Sequence, residues 1–290
     1  MTVEAILLGT AQDGGVPQAG CTCDHCRAAR AEPGLRQWVS CLGLADRDAG
    51  QSWLIDATPD FREQFHALHE WAPNCPLAGI ALTHAHTGHY TGLIHLGREA
   101  ADMHELPVYV TARMAGFLRE NGPWSQLVAL GNVELRILAP DREVQLSPRL
   151  WLTPLTVPHR DEYSDTLAFV VRGTQRQLFY CPDIDGWGRW DRDLRQVVSE
   201  MDVALLDGTF FSAAELPGRD IAQIPHPLAT DTVERLTGTD RLAGTGCTVH
   251  LIHLNHSNPL LRSGPEREWL VARGIGVGTA GMRWRLDESG

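Results

Sequence analysis

Residues 79–89 read Gly79-Ile80-Ala81-Leu82-Thr83-His84-Ala85-His86-Thr87-Gly88-His89. The first five residues are apolar enough to form a buried strand, and the histidines begin where that strand ends. Side chains at the carboxyl end of a buried strand project into a crevice above the sheet, where αβ proteins bind ligands. A turn from strand to helix lets alternate imidazoles converge on one or two metal ions. We therefore predict a catalytic metal site at His84, His86 and His89.

Three further polar residues stand directly after apolar stretches of the sequence. They are His159, Asp183 and His253. Each has an ordinary explanation when taken alone, such as a loop histidine, a turn acid or a capped strand end. Their shared position at predicted strand ends indicates that they join the first three histidines in one site.

Short aliphatic stretches alternate with helical patterns along the chain, which is typical of a layered αβ fold. Two successive rounds predict two sheets packed face to face with helices outside, an αββα sandwich that forms one domain over residues 1–290. The predicted strands are Val3 to Leu8, Ser52 to Ile55, Leu77 to Leu82, Leu106 to Val110, Leu150 to Val157, Leu167 to Val171, Gln177 to Cys181, Val203 to Leu206 and Val249 to Leu254. The predicted helices are Thr91 to Ala101, Ala112 to Glu120 and Leu194 to Ser199.

The composition is that of a globular protein with a sizeable core, since 43% of the 290 residues are hydrophobic and 21% are charged. The sequence contains no apolar stretch of the roughly 18 to 20 residues that would span a bilayer, and no basic segment precedes its apolar start. We therefore expect a cytoplasmic protein. The net charge of −11 disfavours nucleic acid as a partner, so we expect a small-molecule or small peptide-derived substrate.

Three of the seven cysteines crowd into Cys21-Thr22-Cys23-Asp24-His25-Cys26, a spacing that suits tetrahedral zinc. A fourth ligand is required for a structural zinc site. His25 is the local candidate, whereas His256 is favoured because it follows His253 by three residues and can face away from the catalytic site. The alternatives are three unliganded thiols, or a redox pair at Cys23 and Cys26 that lacks the usual strand context.

The order of the candidate ligands resembles the metallo-β-lactamase superfamily, whose loop has the form His-X-His-X-Asp-His, followed by a strand-end His, an Asp and a final His. The resemblance spans nearly the whole chain and implies the αββα fold and a metal-dependent hydrolase. It also implies the metal ligands. The first metal would be held by His84, His86 and His159, the second by His89 and His253, and Asp183 would bridge the two.

Gly88 departs from this motif, because it stands where the superfamily has an aspartate. The chain thereby loses a ligand of the second metal and a carboxylate that could accept a proton from the attacking water. Asp207 follows a buried-strand pattern and is the nearest substitute, although it also suits a turn before Gly208. The sequence thus predicts one catalytic divalent metal, Zn, Mn or Fe, and a weaker second one.

Two narrower resemblances concern the cysteine loop and its surroundings. The Cys-X-Cys-X-X-Cys loop with a closing His-X-X-His resembles the cyclic phosphodiesterases of phosphonate breakdown. The segments 14–18, 207–209 and 251–259 resemble the pyrroloquinoline quinone (PQQ) synthesis protein B family. Since that family carries other residues at the positions of His84 and His86, we expect a paralogue with hydrolase-like ligands and its own substrate.

The expected reaction is attack of metal-activated water on an ester, amide or phosphodiester. Asp183 and His226 are the predicted catalytic residues, and Arg160, Tyr163 and His226 are predicted to bind substrate. The Pro- and Gly-rich residues 211–230 are predicted to form a flap over the active site. The alternatives are an iron-dependent oxygenase acting on a peptide-derived quinone precursor, and a non-catalytic binding protein stabilised by zinc.

Overall fold

Two seven-stranded sheets form the centre of the protein, as seen in a computed structural model that describes residues 2–216, 218, 220, 223–237 and 246–288. The strands are β1 (Val3–Gly9), β2 (Cys41–Asp46), β3 (Gln51–Ile55), β4 (Leu77–Ala81), β5 (Leu106–Val110), β6 (Val133–Ile137), β7 (Val144–Ser147), β8 (Leu150–Val157), β9 (Thr166–Arg172), β10 (Gln177–Cys181), β11 (Val203–Asp207), β12 (Thr248–Ile252), β13 (Ile275–Val277) and β14 (Arg283–Arg285). The first sheet has the order β14-β1-β2-β3-β4-β5-β6 and the second the order β13-β12-β11-β10-β9-β8-β7.

Helices cover the outer faces of both sheets. They are α1 (Asp24–Ala31), α2 (Phe61–Trp71), α3 (Thr87–Tyr90), α4 (Ala112–Glu120), α5 (Trp124–Ala129), α6 (Leu194–Ser199), α7 (Ala229–Thr237) and α8 (Pro265–Ala272). Short 3₁₀ helices lie at Pro33–Leu35, Thr91–Leu96, Ala213–Glu215 and Pro259–Leu261. Within the described part of the chain, every helix is too short or too polar to cross a membrane.

Three apolar clusters hold the layers together. Leu42 of β2 and Phe169 of β9 belong to a core between the two sheets. A second core lies between the first sheet and helices α2, α4 and α5, and a third between the second sheet and helices α6, α7 and α8. Burial of apolar area in these layers is the main force that stabilises the fold. The predicted αββα architecture is therefore confirmed.

Strand direction places the polar strand ends together. Strands β3, β4, β5 and β6 are parallel, as are β10, β11, β12 and β13. Strand β8 runs in the direction of β10, because β9 is antiparallel to both. The carboxyl ends of β4, β8, β10 and β12 lead to His84, His159, Asp183 and His253, and this is where αβ folds build their sites.

The predicted strands all form, several with the predicted bounds, and so do the helices at Ala112–Glu120 and Leu194–Ser199. The predicted helix Thr91 to Ala101 is wrong, since the segment continues α3 only as the 3₁₀ helix Thr91–Leu96. The amide of Gly92 bonds to Ala57 O at 2.9 Å instead of extending an α-helix. A Cβ at Gly92 would lie 2.2 Å from Thr58 O, so the turn packs directly against the chain that follows β3.

Two other predicted segments differ from the structure. The last predicted strand ends at Ile252 rather than Leu254, because His253 takes a left-handed backbone conformation with φ of 61° that interrupts the pleat. The predicted flap includes residues 217, 219, 221 and 222, which lie outside the described residues. Its described part contains the 3₁₀ turn Ala213–Glu215.

A buried carboxylate links the two sheets at the far end of β2. Asp46 accepts hydrogen bonds from Ser147 Oγ at 2.6 Å and from Arg149 Nη2 at 2.6 Å. Burial alone would raise the pKa of Asp46, but the Ser147, Ala49 and Arg149 donors outweigh it and lower the pKa. The ionised form of Asp46 therefore stabilises the contact between β2 and β7 at neutral pH.

Replacing Asp46 with Asn should lower the free energy of unfolding by about 2 to 3 kcal/mol at neutral pH, since it removes the charge that Arg149 and Ser147 solvate. Urea denaturation measures the change. The matched control is Asp48→Asn, whose carboxylate lies 2.6 Å from the same guanidinium but is 46% exposed, and it should cost about 1 kcal/mol or less. Because the pKa of Asp46 is lowered on folding, its contribution should fade as the pH falls below about 4. An equal loss in both variants would contradict this role.

Candidate metal centre

Three imidazole nitrogens meet above the carboxyl ends of β4 and β8. His84 Nε2 lies 2.8 Å from His86 Nδ1, and His159 Nε2 lies 3.2 Å from the same atom. His84 and His159 are buried, and His86 is half-buried. Three nitrogens at these distances can form one face of a coordination site, and three is the number of protein ligands in catalytic zinc sites.

The opposite nitrogen of each ring has its own partner. His84 Nδ1 lies 3.0 Å from Thr83 Oγ1, and His159 Nδ1 lies 3.2 Å from Asp185 Oδ1. His86 Nε2 lies 3.2 Å from a carboxylate oxygen of the half-exposed Glu162. Such partners fix the ring orientation and the tautomer, so that the remaining nitrogen presents its lone pair to a metal.

A second group of ligand atoms consists of Asp13, His89, Asp183 and His253. His89 Nε2 lies 2.9 Å, and His253 Nε2 3.2 Å, from Asp183 Oδ2. These three atoms are buried, and none of them has a well-oriented hydrogen-bond partner among the described residues. Buried polar atoms are almost always satisfied. Their convergence without hydrogen bonding therefore fits the coordination sphere of a cation.

Asp183 lies between the two groups. Its Oδ2 faces His89 and His253, while its Oδ1 lies 3.6 Å from His159 Nε2. Burial opposes ionisation of Asp183, but the charges of His253 and His89 outweigh it and hold the pKa well below its ordinary value. An ionised carboxylate with one oxygen toward each group has the geometry of a bridging ligand.

The second group is oriented by buried residues at other strand ends. Asp56, directly after β3, lies 2.7 Å from His89 Nδ1 and accepts a hydrogen bond from the Thr83 amide at 2.8 Å. Thr209 Oγ1 lies 2.9 Å from His253 Nδ1. Asp56 and His253 both adopt positive φ angles, of 72° and 61°. This conformation costs energy in residues with side chains, and it aims them at the site.

His84 and His86 of the first group are in the protonation state that binds metal. Burial and the neighbouring His89 lower the pKa of His84 well below its ordinary value, and burial and His159 lower the pKa of His86. Both rings are therefore neutral at neutral pH, which is the form that binds metal. Burial opposes protonation of His89, but the charges of Asp56 and Asp183 outweigh it and raise its pKa well above the ordinary value. A proton on His89 would have to leave when a metal binds.

Asp207 is not grouped with Asp13, His89 and Asp183, and it forms a further possible ligand group with His226 and His253. Its Oδ1 accepts hydrogen bonds from Thr209, and its Oδ2 lies 2.9 Å from His226 Nδ1. Burial opposes protonation of His226, but Asp207 outweighs it and raises the pKa. His226 borders a cavity of about 570 Å³. The second group contains Asp13 as a carboxylate besides Asp183, and no sequence motif predicted Asp13.

Arg160 and Tyr163, two of the three predicted substrate-binding residues, lie in the loop between β8 and β9 beside His86, whereas His226 precedes α7. Arg160 pairs with Glu162 at 3.8 Å, and Tyr163 is 60% exposed with its ring 5.3 Å from that of Phe117. Their place at the rim is compatible with substrate contact. Asp56 could have been selected from the sequence, because it follows the apolar strand β3 just as the predicted ligands follow theirs.

The cysteine cluster forms a separate closed site. The Sγ atoms of Cys21 and Cys23 each lie 3.5 Å from His256 Nδ1, and Cys26 completes the group. His25 instead points to the carbonyl of His256, with its Nδ1 at 2.8 Å. Three thiols and one imidazole in contact fit a tetrahedral zinc loop, and His256 rather than His25 supplies the imidazole.

Two facing mixed sheets with histidines and aspartates at their shared edge define a metallo-β-lactamase fold. The sequence profile of the β-lactamase superfamily domain matches residues 52–254, and the chain belongs to this superfamily and to the family of the coenzyme PQQ synthesis protein B. That protein from Azotobacter vinelandii is 31% identical over 307 residues, which cover 95% of this chain and 97% of the relative.

Solved structures agree on the fold. Zn²⁺-bound PqqB from Methylobacterium extorquens superposes with a TM-score of 0.80 at 22% identity, covering 97% of this chain and 99% of that one. A diphosphatase from the PhnP family superposes with a TM-score of 0.70 at 20% identity, covering 98% and 97%. The fold and the ligand clusters together support binding of divalent metal.

Replacement of His256 with Ala should remove about one zinc equivalent per chain, because it opens the closed four-ligand site. The matched control is His25→Ala, which removes a neighbouring imidazole whose Nδ1 lies 2.8 Å from the His256 carbonyl oxygen and which is not part of the four-ligand group. Elemental analysis of the purified proteins measures the zinc. Equal zinc content in both variants would contradict the assignment of His256.

Proposed function

We propose that this chain is a metal-dependent hydrolase that uses activated water on an ester, amide or phosphodiester of a small molecule or small peptide-derived substrate. One observation carries the proposal. The first histidine group supplies three nitrogens of its own and shares the Asp183 carboxylate with the second group, whereas the cysteine cluster supplies four ligands of its own. Structural zinc sites have four protein ligands, and catalytic zinc sites have three with a further position for water or substrate. The contrast within one chain favours catalysis over a purely structural role.

The residues of the site suit hydrolysis. A divalent metal at the three histidines would lower the pKa of a bound water toward neutrality and polarise the substrate oxygen. Asp183 is ionised, so its oxygens can accept a hydrogen bond from the attacking water. A cavity of about 570 Å³, lined by His226 and Asp185 and not by the three histidines of the first group, has the size of a small-molecule site.

His226 is suited to protonate the leaving group. Its Nδ1 lies 2.9 Å from Asp207 Oδ2, and a proton held there leaves Nε2 as the atom that can deliver a second proton. Thr209 and the Ile184 amide donate to Asp207 and hold its carboxylate in place. We assign Asp207 as the positioning residue for His226 and not as a metal ligand.

A second candidate function is an iron-dependent oxygenation in PQQ biosynthesis. It is favoured by the 31% identity to coenzyme PQQ synthesis protein B and by a second group made only of histidine and carboxylate ligands, which suit iron as well as zinc. Iron in protein purified from aerobic culture, and oxygen uptake with a tyrosine-derived substrate, would favour this function. Hydrolysis of diesters without oxygen uptake would favour the first.

Replacing His84 with Ala should reduce the hydrolysis of bis(p-nitrophenyl) phosphate at least about 100-fold, since loss of one of three ligands removes the metal that activates water. The matched control is His66→Ala, because the His66 side chain is 70% exposed on α2. Release of p-nitrophenolate measures kcat/KM in both. Equal activity in the His84 variant and the wild type would show that the proposal is wrong.

Replacing His226 with Gln should slow the hydrolysis of diesters with alkoxide leaving groups by about 100-fold or more, while nitrophenyl diesters should be affected much less. The physical reason is that nitrophenolate leaves without a proton, whereas an alkoxide requires one. Comparing kcat for the two substrates in wild type and variant provides the internal control. A uniform loss on both substrates would contradict proton donation by His226.

A further inference from the structure

We propose that Asp13 replaces the aspartate that is missing at position 88 and acts as the carboxylate ligand of the second metal. This inference rests on the proposed metal-dependent function and identifies a ligand that lies far from the histidine loop in the sequence. It follows from three observations. They are the space beside Gly88, the convergence of ligand atoms around Asp13, and the backbone contacts that hold Asp13 in place.

The space beside Gly88 is filled by Asp13. A Cβ built on Gly88 would lie 2.3 Å from Asp13 Oδ1 and 2.7 Å from Asp13 Cγ. The same Cβ would lie 2.7 Å from Asp13 Cα, so the clash involves the main chain as well. An aspartate at position 88 and one at position 13 therefore exclude each other. The carboxylate of Asp13 enters the volume that a side chain at position 88 would use.

The Asp13 carboxylate also faces the atoms that a second metal would need. Its Oδ1 lies 3.2 Å from His89 Nε2 and 3.6 Å from His253 Nε2. Both nitrogens are buried and lack a hydrogen-bond partner of good geometry within the described residues. Potential ligand atoms that lie this close together without hydrogen bonding have the spacing of ligands around a cation.

Asp207, the substitute suggested by the sequence, is engaged elsewhere. Its Oδ1 accepts from the Thr209 amide at 2.9 Å, and its Oδ2 accepts from the Ile184 amide at 3.2 Å. A carboxylate with both oxygens bound to main-chain donors and to His226 has little capacity left for a metal. Asp13 is grouped with His89, Asp183 and His253, whereas Asp207 is grouped with His226 and His253.

Backbone contacts fix Asp13 beside His253. The Gln12 amide donates to Leu254 O at 3.0 Å, and the Leu254 amide donates to Thr10 O at 2.8 Å. The Gly15 amide closes a turn onto Gln12 O at 2.7 Å, and Gly15 has a φ of 64°, which favours glycine. The turn that carries Asp13 is thus bonded on one side to the segment that carries His253.

The first test is the isosteric variant Asp13→Asn in the full-length protein, with Gln12→Ala as the control from the same loop. Equilibrium dialysis against buffered free Zn²⁺, followed by elemental analysis, should find about three equivalents per chain in the wild type. We expect Asp13→Asn to weaken binding of one equivalent at least about 100-fold and to leave the other two unchanged. Unchanged affinity for all three equivalents would overturn the inference.

The second test moves the carboxylate back to the histidine loop. Asp13→Gly alone should lose the same zinc equivalent, and Gly88→Asp alone should be destabilised by the clash with Asp13. The combined variant removes the clash with the Asp13 carboxylate and leaves the contact with the Cα of residue 13, where glycine allows the loop to shift. It should therefore recover affinity to within about tenfold of the wild type. Failure of the combined variant to bind better than Asp13→Gly would contradict the exchange.

Metal binding, and not hydrolysis, is the readout of both tests. If Asp13→Asn loses one equivalent and the wild type hydrolyses no diester, the ligand assignment stands and the proposed function fails. If the wild type hydrolyses diesters and Asp13→Asn keeps all its zinc, the proposed function stands and the assignment fails. Thermal unfolding of each variant in the presence of zinc separates loss of a ligand from loss of the fold.

Discussion

Burial of histidines and carboxylates at the shared edge of two sheets is the constraint on which the rest of the structure depends. His84, His89, Asp183 and His253 are all buried there. Removing such groups from water is costly unless each finds a partner or a cation. The protein meets this cost with a further layer of polar residues, of which Asp56 is fully buried. Buried polar residues therefore lie behind the candidate ligands as well, and they too directly follow strands.

Much of the fold and of the site was predictable, because a polar residue directly after an apolar stretch is visible in the local sequence. His84, His159 and Asp183 each follow an apolar stretch, and parallel strand direction brings such ends together. Gly92 shows where prediction failed, since its amide bonds to a residue more than thirty positions away, a contact that helical periodicity does not encode. Asp13 was missed for a similar reason, because a loop of glycines shows no periodic pattern.

Gly88 and Asp13 illustrate why a motif can be incomplete in sequence and complete in space. Metal binding requires a carboxylate oxygen at the right position in space, and any segment of the chain can provide it. In this chain the histidine loop has Gly88 in place of a larger residue, and the turn after β1 places the Asp13 side chain in the space beside it. When a motif residue is missing, a ligand from another segment of the chain should therefore be sought before the metal is taken to be lost.

Asp13 connects the second metal group to the cysteine cluster. Asp13 lies eight residues before Cys21, and His253 lies three residues before His256. The cysteine cluster therefore ties together the same two segments that provide Asp13 and His253, and the backbone bonds between Gln12 and Leu254 run between them. With an aspartate on the histidine loop, the second metal would depend less on the N-terminal segment. With Asp13 as the ligand, a closed zinc loop beside the site holds two ligands of the second metal in register.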